Sequence, residues 1–318
     1  MAKLADVAAL AGVSVTTASR VINHKGYLSQ KTIDKVHAAM AALNYQPNQI
    51  ARAMAGKPAK FVGLIFPSIS TIFFAELVEE IERHLSQHDY KAILCNSEQS
   101  ADKEREILAM LAANQVDGII SSSHNLEVTD YARIAAPIVS FDRELAPEIP
   151  IVSSDNYQGG VLATTFLIQS GARNCAIFAG SDNTNSPTHL RTEGYWDTMQ
   201  QHGLPLHIIR IPSGLTEVRR RAQIKKALAD GQFDGIFCTD DLTALLVKKL
   251  LEELHHQNAR VVGFDGARMI ENYIPSLTTI QQPTRDLAAL MVETLLKQID
   301  GKTVEKSQIL PVKLINAS

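Results

Sequence analysis

The chain has 318 residues, of which 45% are hydrophobic and 20% are charged, so it holds enough apolar material for sizeable cores and too little charge for a disordered protein. Its formal charge of −3 conceals a division: residues 1–60 hold eight Lys and Arg against two Asp and Glu (+6), and the remainder holds 23 against 32 (−9). A basic segment ahead of an acidic body is typical of a nucleic-acid-binding domain attached to a second domain.

The N-terminal segment predicts three short helices that share one small core. Gly12 separates the first two helices, and Ser14 and Ser29 are candidate N-caps of the second and third. The apolar positions of the three helices are Leu4, Val7 and Ala8; Ala18, Val21 and Ile22; and Ile33, Val36, Met40 and Leu43. The spacing predicts a helix, a tight turn and a second helix, followed by a third.

The third helix is expected to end at Gln46, because Pro47 disfavours the helical conformation of the residue before it. A further short helix is predicted from Asn48 to Ala55, and Gly56-Lys57-Pro58 marks a linker. We therefore predict a head at 1–46, a hinge helix and linker at 47–58, and a body at 59–318.

Beyond residue 60, short apolar strands alternate with helices. The predicted strands are 61–66, 91–95, 117–121, 138–141, 175–179, 206–211, 233–238 and 260–264, and the predicted helices are 73–87, 103–113, 160–169, 188–201, 217–229 and 242–253. Continuous apolar strands with helical crossovers indicate parallel sheets covered on both faces, which makes the body an α/β structure. Its length favours two lobes with a cleft between them, at about 59–156 and about 157–282, with Pro283 and Leu310–Ile315 returning the chain to the first lobe.

A helix-turn-helix places the first turn of its second helix against base edges in the major groove. That turn is Val15-Thr16-Thr17, with Arg20 one turn further on. Arg20 can pair with guanine, Thr16 can donate or accept a hydrogen bond, and Val15 can pack on a thymine methyl. The alternatives are a helical module that binds protein, a phosphate contact or solvated cation at Arg20, and a helix start without base contact at Val15.

Several motifs resemble the LacI/GalR family of repressors. In the head and hinge they are Leu4–Ser14, Thr17–Asn23, Tyr45-Gln46-Pro47-Asn48 and Ala51-Arg52; in the body they are Asp155-Asn156, Arg191 with Gly194, Gly263-Phe264-Asp265, Thr278-Thr279-Ile280 and Gln282-Pro283. Within the family, the runs Ile65-Phe66-Pro67, Cys95–Glu98 and Val152–Tyr157 are similar to the sucrose operon repressors of Gram-positive bacteria. The resemblance implies a homodimer that binds palindromic operator DNA. It also implies that the hinge residues Asn48 and Met54 contact this DNA.

Met54 stands where family members carry a leucine that wedges into the minor groove at the operator centre. Methionine is apolar and flexible, and it is among the side chains that serve as such wedges. The alternative is that Met54 packs between two hinge helices. Ala18 also departs from the family, which commonly has a branched aliphatic residue there.

The resemblance further implies a body like periplasmic sugar-binding proteins, with a sugar or sugar phosphate between the lobes. Carboxylates and amides chelate hydroxyls, an arginine orients the ligand, and an aromatic ring covers its apolar face. The candidate contacts are Phe73, Phe74, Ser122, Asp155, Arg191, Asp240, Asp265 and Gln282. All except Arg191 and Gln282 are predicted to follow a strand directly or to lie within the connecting loop. Asp155 and Asp240 can equally be helix caps, and Phe74 can be a core residue. The residues leave open whether the effector carries a phosphate, for which only His189 stands beside Arg191.

No sequence motif supports an enzyme or a bound cofactor. The nucleotide-binding glycine loops, the zinc motif His-Glu-x-x-His and the nucleophile elbow Gly-x-Ser-x-Gly do not occur in the chain. The three cysteines are odd in number, far apart and flanked by apolar residues, which disfavours disulfides and a metal site. No apolar run approaches the ~20 residues of a membrane span, and no export signal opens the chain.

The sequence therefore predicts a cytoplasmic, dimeric repressor that releases its operator when a sugar-derived effector binds. Two alternatives remain at this point. One is a catabolite regulator whose effector is a phosphorylated carrier protein, and the other is a sugar-binding protein without a role on DNA.

Overall fold

The computed structural model describes residues 2–22, 26–45, 59–98, 100–113, 116–123, 125–180, 187–212, 214–256 and 258–317. It divides the chain into two units, Met1–Ala59 and Lys60–Ser318. The predicted hinge helix at Asn48–Ala55, with Asn48 and Met54, lies outside the described residues.

The described part of the first unit contains the three predicted helices, α1 (Leu4–Ala11), α2 (Val15–Ile22) and α3 (Gln30–Ala42). Gly12 ends α1 with a φ of 67°, a left-handed conformation that glycine adopts without a steric penalty. The two predicted caps are confirmed: Ser14 Oγ accepts from the Thr17 amide at 3.1 Å, and Ser29 Oγ accepts from the Thr32 amide at 3.3 Å. The core consists of Val7, Ala8, Ala11, Ala18, Val21, Val36 and Ala39.

The second unit contains two six-stranded sheets, each of which forms the centre of one lobe. The strands of the first sheet are β1 (Phe61–Phe66), β2 (Lys91–Asn96), β3 (Gly118–Ser121), β4 (Ile138–Phe141), β5 (Ile151–Ser154) and β11 (Ser307–Leu310). Those of the second sheet are β6 (Cys175–Ala179), β7 (His207–Arg210), β8 (Gly235–Cys238), β9 (Arg260–Asp265), β10 (Thr278–Gln281) and β12 (Lys313–Ile315). The strand orders are β11-β5-β4-β3-β1-β2 and β12-β10-β9-β8-β6-β7, and all described pairs are parallel except β10 with β12.

Helices cover the sheets, as continuous apolar strands require. The helices of the first lobe are α4 (Ile72–Gln87), α5 (Ala101–Ala113), α6 (Val128–Tyr131) and α12 (Thr284–Ile299). Those of the second lobe are α7 (Asn156–Gln169), a 3₁₀ turn (Pro187–His189), α8 (Leu190–Gln201), α9 (Glu217–Gly231), α10 (Asp241–Glu253) and α11 (Arg268–Tyr273). In the part of the chain that the structure describes, no single helix is long and apolar enough to span a membrane; α1 and α2 pass such a test only together, across a bend of 103°.

The prediction for the C-terminal segment was partly wrong. After Pro283 the chain does return to the first lobe, where α12 packs against α4 and β11 joins the first sheet. Lys313–Ile315, however, pairs antiparallel with β10 in the second sheet. The predicted run Leu310–Ile315 is therefore divided between two strands, one in each lobe. Leu310 ends the strand in the first lobe, and Pro311 and Val312 connect it to the strand in the second lobe.

Candidate functional site

A cavity of about 640 Å³ lies between the two lobes. Its wall includes Ser122, which follows β3, and Asp142, which follows β4, both in the first lobe. From the second lobe it includes Asp240 after β8, Asp265 at the end of β9 and Gln282 after β10. Parallel strands bring their carboxyl ends to one edge of a sheet, and each lobe turns that edge to the cavity.

Seven of the eight predicted effector contacts line this cavity: Phe73, Phe74, Ser122, Arg191, Asp240, Asp265 and Gln282. The eighth, Asp155, is not among the described residues of the wall. Its carboxylate accepts from the Gln158 amide at 2.9 Å and caps α7, which was the alternative interpretation. Asp240 caps α10 in the same way, accepting from the Thr243 amide at 2.7 Å, and also lines the cavity.

Sequence reasoning missed four charged residues of the wall, Asp142, Arg143, Glu217 and Arg220. Asp142 and Arg143 directly follow β4, which was predicted correctly, so the strand-end rule that selected the other candidates would have found them. Arg220 lies within α9, where no strand end marks it. Its guanidinium contacts Asp240 at 3.6 Å and Thr243 at 2.5 Å.

Arg191, at the start of α8, is the centre of a buried network. Only 6% of the residue is exposed, and its guanidinium donates to Asn156 Oδ1 and to the Thr239 carbonyl, both at 2.7 Å. The carboxylates of Asp142 and Asp265 lie 3.8 and 4.0 Å away. Burial lowers the pKa of Arg191, and the two carboxylates oppose that shift. Since an arginine stays protonated, a full positive charge is held at the base of the cavity.

Two glycines allow α8 to approach α7 closely enough for this network to form. A Cβ on Gly160 would lie 2.2 Å from the Arg191 carbonyl oxygen, and one on Gly194 would lie 2.3 Å from the Tyr157 carbonyl oxygen. Backbone atoms cannot move aside cheaply. The Gly194 of the family motif is therefore needed where the two helices meet.

The Asp265 carboxylate is held by Gln282, which is itself bound by the first lobe. Gln282 Nε2 donates to it at 2.8 Å, and the amide oxygen of Gln282 accepts from Ser154 Oγ at 2.7 Å, which joins the two lobes. Asp265 has a φ of 114°, a strained conformation for a residue other than glycine. Burial raises the pKa of its carboxyl, and Arg191 opposes that shift.

Asp241 supports this strained segment from behind. Its carboxylate accepts from the Gly266 amide at 2.8 Å and from Thr279 Oγ1 at 2.5 Å. Burial raises the pKa of Asp241 to about 7, although both hydrogen bonds lower it. Asp241 thus fixes the backbone that follows Asp265.

The aromatic part of the wall belongs to the first lobe. The ring centroids of Phe73 and Phe74 are 5.7 Å apart, and those of Phe73 and Phe141 are 5.8 Å apart. Phe73 is buried, whereas Phe74 is partly exposed and packs against the core of the lobe. The three rings give the first-lobe side of the cavity an apolar part, which lies opposite Asp240 and Asp265 of the second lobe.

An ion-pair cluster holds the lobes together outside the cavity. Arg268 of α11 contacts Glu76, Glu79 and Glu80 of α4 at 3.2, 2.9 and 3.5 Å, and its backbone amide donates to Glu76 at 2.8 Å. Exposed pairs contribute little singly, but a cluster around one guanidinium favours the lobe arrangement in which it forms.

In the first unit, α2 presents the predicted base-reading residues to solvent. Val15 is 48% exposed, and Thr16 and Arg20 are also exposed, while Ala18 and Val21 on the other face are buried. Thr17 is half-buried, and its hydroxyl forms a 2.8 Å hydrogen bond with Ser14 Oγ at the start of the helix. Of the four candidates in α2, Thr17 is thus the one already used by the helix cap.

A helix-turn-helix unit joined in sequence to a two-lobed body with a polar cleft defines a DNA-binding regulator that responds to a small molecule. The chain belongs to the LacI family. The model for bacterial regulatory proteins of the lacI family matches residues 3–48, and the model for periplasmic binding proteins and the sugar-binding domain of the LacI family matches residues 59–317.

Relatives and solved structures agree with this assignment over most or nearly all of the chain. The sucrose operon repressor of Lactococcus lactis subsp. lactis is 55% identical over 314 residues, covering 99% of this chain and 98% of that protein. The sucrose operon repressor of Streptococcus mutans is 52% identical, covering 99% and 98%. The lac repressor dimer bound to operator and the anti-inducer ONPF is 27% identical with a TM-score of 0.85, covering 99% and 98%. A regulator from Alkaliphilus metalliredigens complexed with D-xylulofuranose is 33% identical with a TM-score of 0.74, covering 81% and 97%.

Proposed function

We propose that this protein represses a sucrose utilisation operon and leaves its operator when a sugar-derived effector occupies the cleft between the lobes. The observation that carries the proposal is the meeting of carboxylates, an amide, arginines and aromatic rings in one cavity, in a chain whose relatives at 50–55% identity are sucrose operon repressors.

The head supplies DNA binding. Residues 1–60 carry a charge of +6, and Val15, Thr16 and Arg20 are exposed on the second helix of the helix-turn-helix. A homodimer presents two such helices to half-sites one helical turn apart, which accounts for a palindromic operator. Because its partner is operator DNA, we also propose a cytoplasmic location. We further propose that Asn48 and Met54 contact the operator from the hinge.

The cleft supplies effector binding. Asp240, Asp265 and Gln282 are suited to chelate adjacent hydroxyls, and Phe74 is suited to cover the apolar face of a sugar ring. We assign Arg191 a dual role, in which it orients the effector and joins the carboxylates that the two lobes contribute. Effector binding favours one lobe arrangement, and that arrangement changes the hinge segment and weakens operator binding.

The two alternatives have less support. Catabolite control protein A of Priestia megaterium is 34% identical, well below the sucrose operon repressors. Pull-down with a phosphorylated carrier protein tests that alternative, and a sugar response without the carrier would count against it. A sugar-binding protein without a role on DNA does not account for the lacI-family match at residues 3–48.

Fluorescence anisotropy with a labelled operator duplex tests the proposal. Operator affinity is expected to fall steeply with salt and to fall further when sucrose, fructose or one of their phosphates is added. Unchanged affinity with every sugar and sugar phosphate of the panel would contradict the effector model. Salt-independent binding would contradict the role of the basic head.

A further inference from the structure

Three consecutive buried serines, Ser121, Ser122 and Ser123, end β3 and lead into the wall of the cavity; we call them the serine segment. Ser121 Oγ accepts from the Ser123 amide at 3.2 Å, and Ser123 Oγ shares a hydrogen bond of 2.6 Å with Ser97 Oγ. Ser122 Oγ, by contrast, has no hydrogen-bond partner among the described residues, and Ser122 lines the cavity. The serine that borders the cavity is thus the one whose hydroxyl the described protein does not use.

The Ser122 hydroxyl is suited to a ligand. Ser122 is 1% exposed, and a buried hydroxyl without a partner costs free energy that a bound molecule can offset by supplying one. A sugar hydroxyl can donate to a serine or accept from it, and rotation about the Cα–Cβ bond alone aims the serine hydroxyl. The backbone of Ser122 is already fixed, because its amide donates to the Ile65 carbonyl at 2.9 Å.

A buried carboxylate, that of Glu104, holds the chain that follows the serine segment. Glu104 lies in the first turn of α5 and is 0% exposed. Its carboxylate accepts from the Asn125 amide at 3.1 Å, from Asn125 Nδ2 at 2.8 Å and from the Tyr131 hydroxyl. A buried carboxylate needs such donors, and the start of a helix favours its negative charge. Glu104 therefore ties the segment after β3 to the starts and ends of two helices.

Tyr131, at the end of α6, connects Glu104 to the serine segment. Its hydroxyl donates to Glu104 and lies 3.3 Å from the Ser123 carbonyl oxygen. Burial and the adjacent carboxylate raise the pKa of Tyr131, so the hydroxyl stays protonated and acts as the donor. Glu104, Asn125 and Tyr131 are not among the described residues of the cavity wall. We therefore expect their effect on a ligand to pass through the serine segment.

We propose that Glu104 and Tyr131 are positioning residues for the effector: they hold the serine segment where the Ser122 hydroxyl forms a hydrogen bond with a hydroxyl of the bound sugar. The inference rests on the proposed function of the cleft and adds to it two residues outside the cavity wall. Neither residue touches the ligand in this arrangement, so its contribution to affinity depends on Ser122. That dependence separates positioning from a general contribution to the stability of the lobe.

A double-mutant cycle of S122A and Y131F tests the proposal. Sucrose, fructose and their 6-phosphates are titrated into the full wild-type chain by isothermal titration calorimetry, and the compound that binds most tightly is used for the variants. S122A should weaken binding by about threefold to tenfold, the loss of one neutral hydrogen bond, without lowering the Tm. Y131F should weaken binding by up to the same factor when Ser122 is present, and should have no further effect on binding in S122A.

T294V is the matched control. Thr294, on α12 of the same lobe, is 3% exposed, and its hydroxyl accepts from Gln308 Nε2 at 3.0 Å away from the described cavity wall. Y131F and T294V should both lower the Tm, because each removes a buried hydrogen bond, but T294V should leave binding unchanged. E104Q keeps the shape of the side chain and loses one acceptor oxygen, so it should show the same dependence on Ser122 as Y131F.

The outcomes separate this inference from the proposed function. If S122A binds the sugar as tightly as the wild type, if Y131F weakens binding equally with and without Ser122, or if T294V weakens binding as Y131F does, the positioning role is wrong while the proposed function stands. If no compound of the panel binds the wild type, the inference and the effector model of the proposed function fail together.

Discussion

Replacing Arg191 by Ala should destabilise the body as well as abolish the effector response. The guanidinium makes two hydrogen bonds at 2.7 Å and lies within 4.0 Å of two buried carboxylates. Removing one partner of a buried ion pair costs about 3–5 kcal/mol, because the other charge stays buried without compensation. For a unit of this size, that corresponds to a fall in Tm of about 6–20 °C.

The pH dependence separates this mechanism from a simple loss of packing. Burial already raises the pKa of Asp142 and Asp265 above the values of the unfolded chain, and Arg191 opposes both shifts. Without Arg191 the two pKa values rise further. The variant should therefore lose most stability at high pH and recover as the pH falls and the carboxyls take up protons.

Differential scanning calorimetry between pH 5 and pH 8 measures both effects. R191K keeps the charge and should be intermediate, while R220A, which removes the more exposed pair with Asp240, should cost about 1 kcal/mol or less. An unchanged Tm in R191A, or a deficit that does not vary with pH, would refute the view that Arg191 joins the lobe carboxylates.

Three further substitutions test separate parts of the structure. R20A should weaken operator binding by about 5-fold to 150-fold, which corresponds to the roughly 1–3 kcal/mol of one base contact. Since Arg20 is exposed, circular dichroism should show that the head of the variant is folded. Undiminished affinity would show that Arg20 does not take part in base recognition. D241N should flatten the dependence of Tm on pH. Because the pKa of Asp241 is raised, the stability of the wild type falls as the pH rises from about 4 to 7, by up to about 1.4 kcal/mol per pH unit. If Tm varies with pH equally in D241N and the wild type, this expectation is contradicted. G194A should cost about 1–3 kcal/mol and weaken effector binding, because its Cβ would collide with the Tyr157 carbonyl. G180A is the control, since a Cβ there would meet nothing within 4 Å among the described residues, and equal Tm values for the two variants would argue against the close approach of the two helices.

Helices and strands were predicted best where capping residues or the spacing of apolar residues indicate the element. Ser14 and Ser29 cap the helices they were assigned, and the apolar run 61–66 is a strand with the predicted bounds. Strands β5 and β10 were missed because Ser153-Ser154 and Thr278-Thr279 place polar residues in buried positions, which apolar runs do not reveal. Their burial depends on parallel partners that come from distant parts of the chain.

The cleft could be predicted only as far as strand ends could be located. Ser122, Asp240 and Asp265 follow predicted strands, and each lines the cavity. Asp155 was selected as a loop residue without a predicted strand before it, and its carboxylate caps its own helix instead. Arg220 in the interior of α9 pairs with Asp240 at the end of a strand, and no spacing of residues in the sequence indicates that contact.

The central claim is that effector binding in the cleft controls operator binding by the head. Its most direct test is the affinity of the purified chain for a palindromic operator, measured by fluorescence anisotropy during titration with sucrose, fructose and their phosphates. The account predicts that at least one of them weakens operator binding, and that R191A, compared under conditions in which it is folded, no longer responds. If the wild type binds operator with an affinity that no member of the panel changes, the account is contradicted.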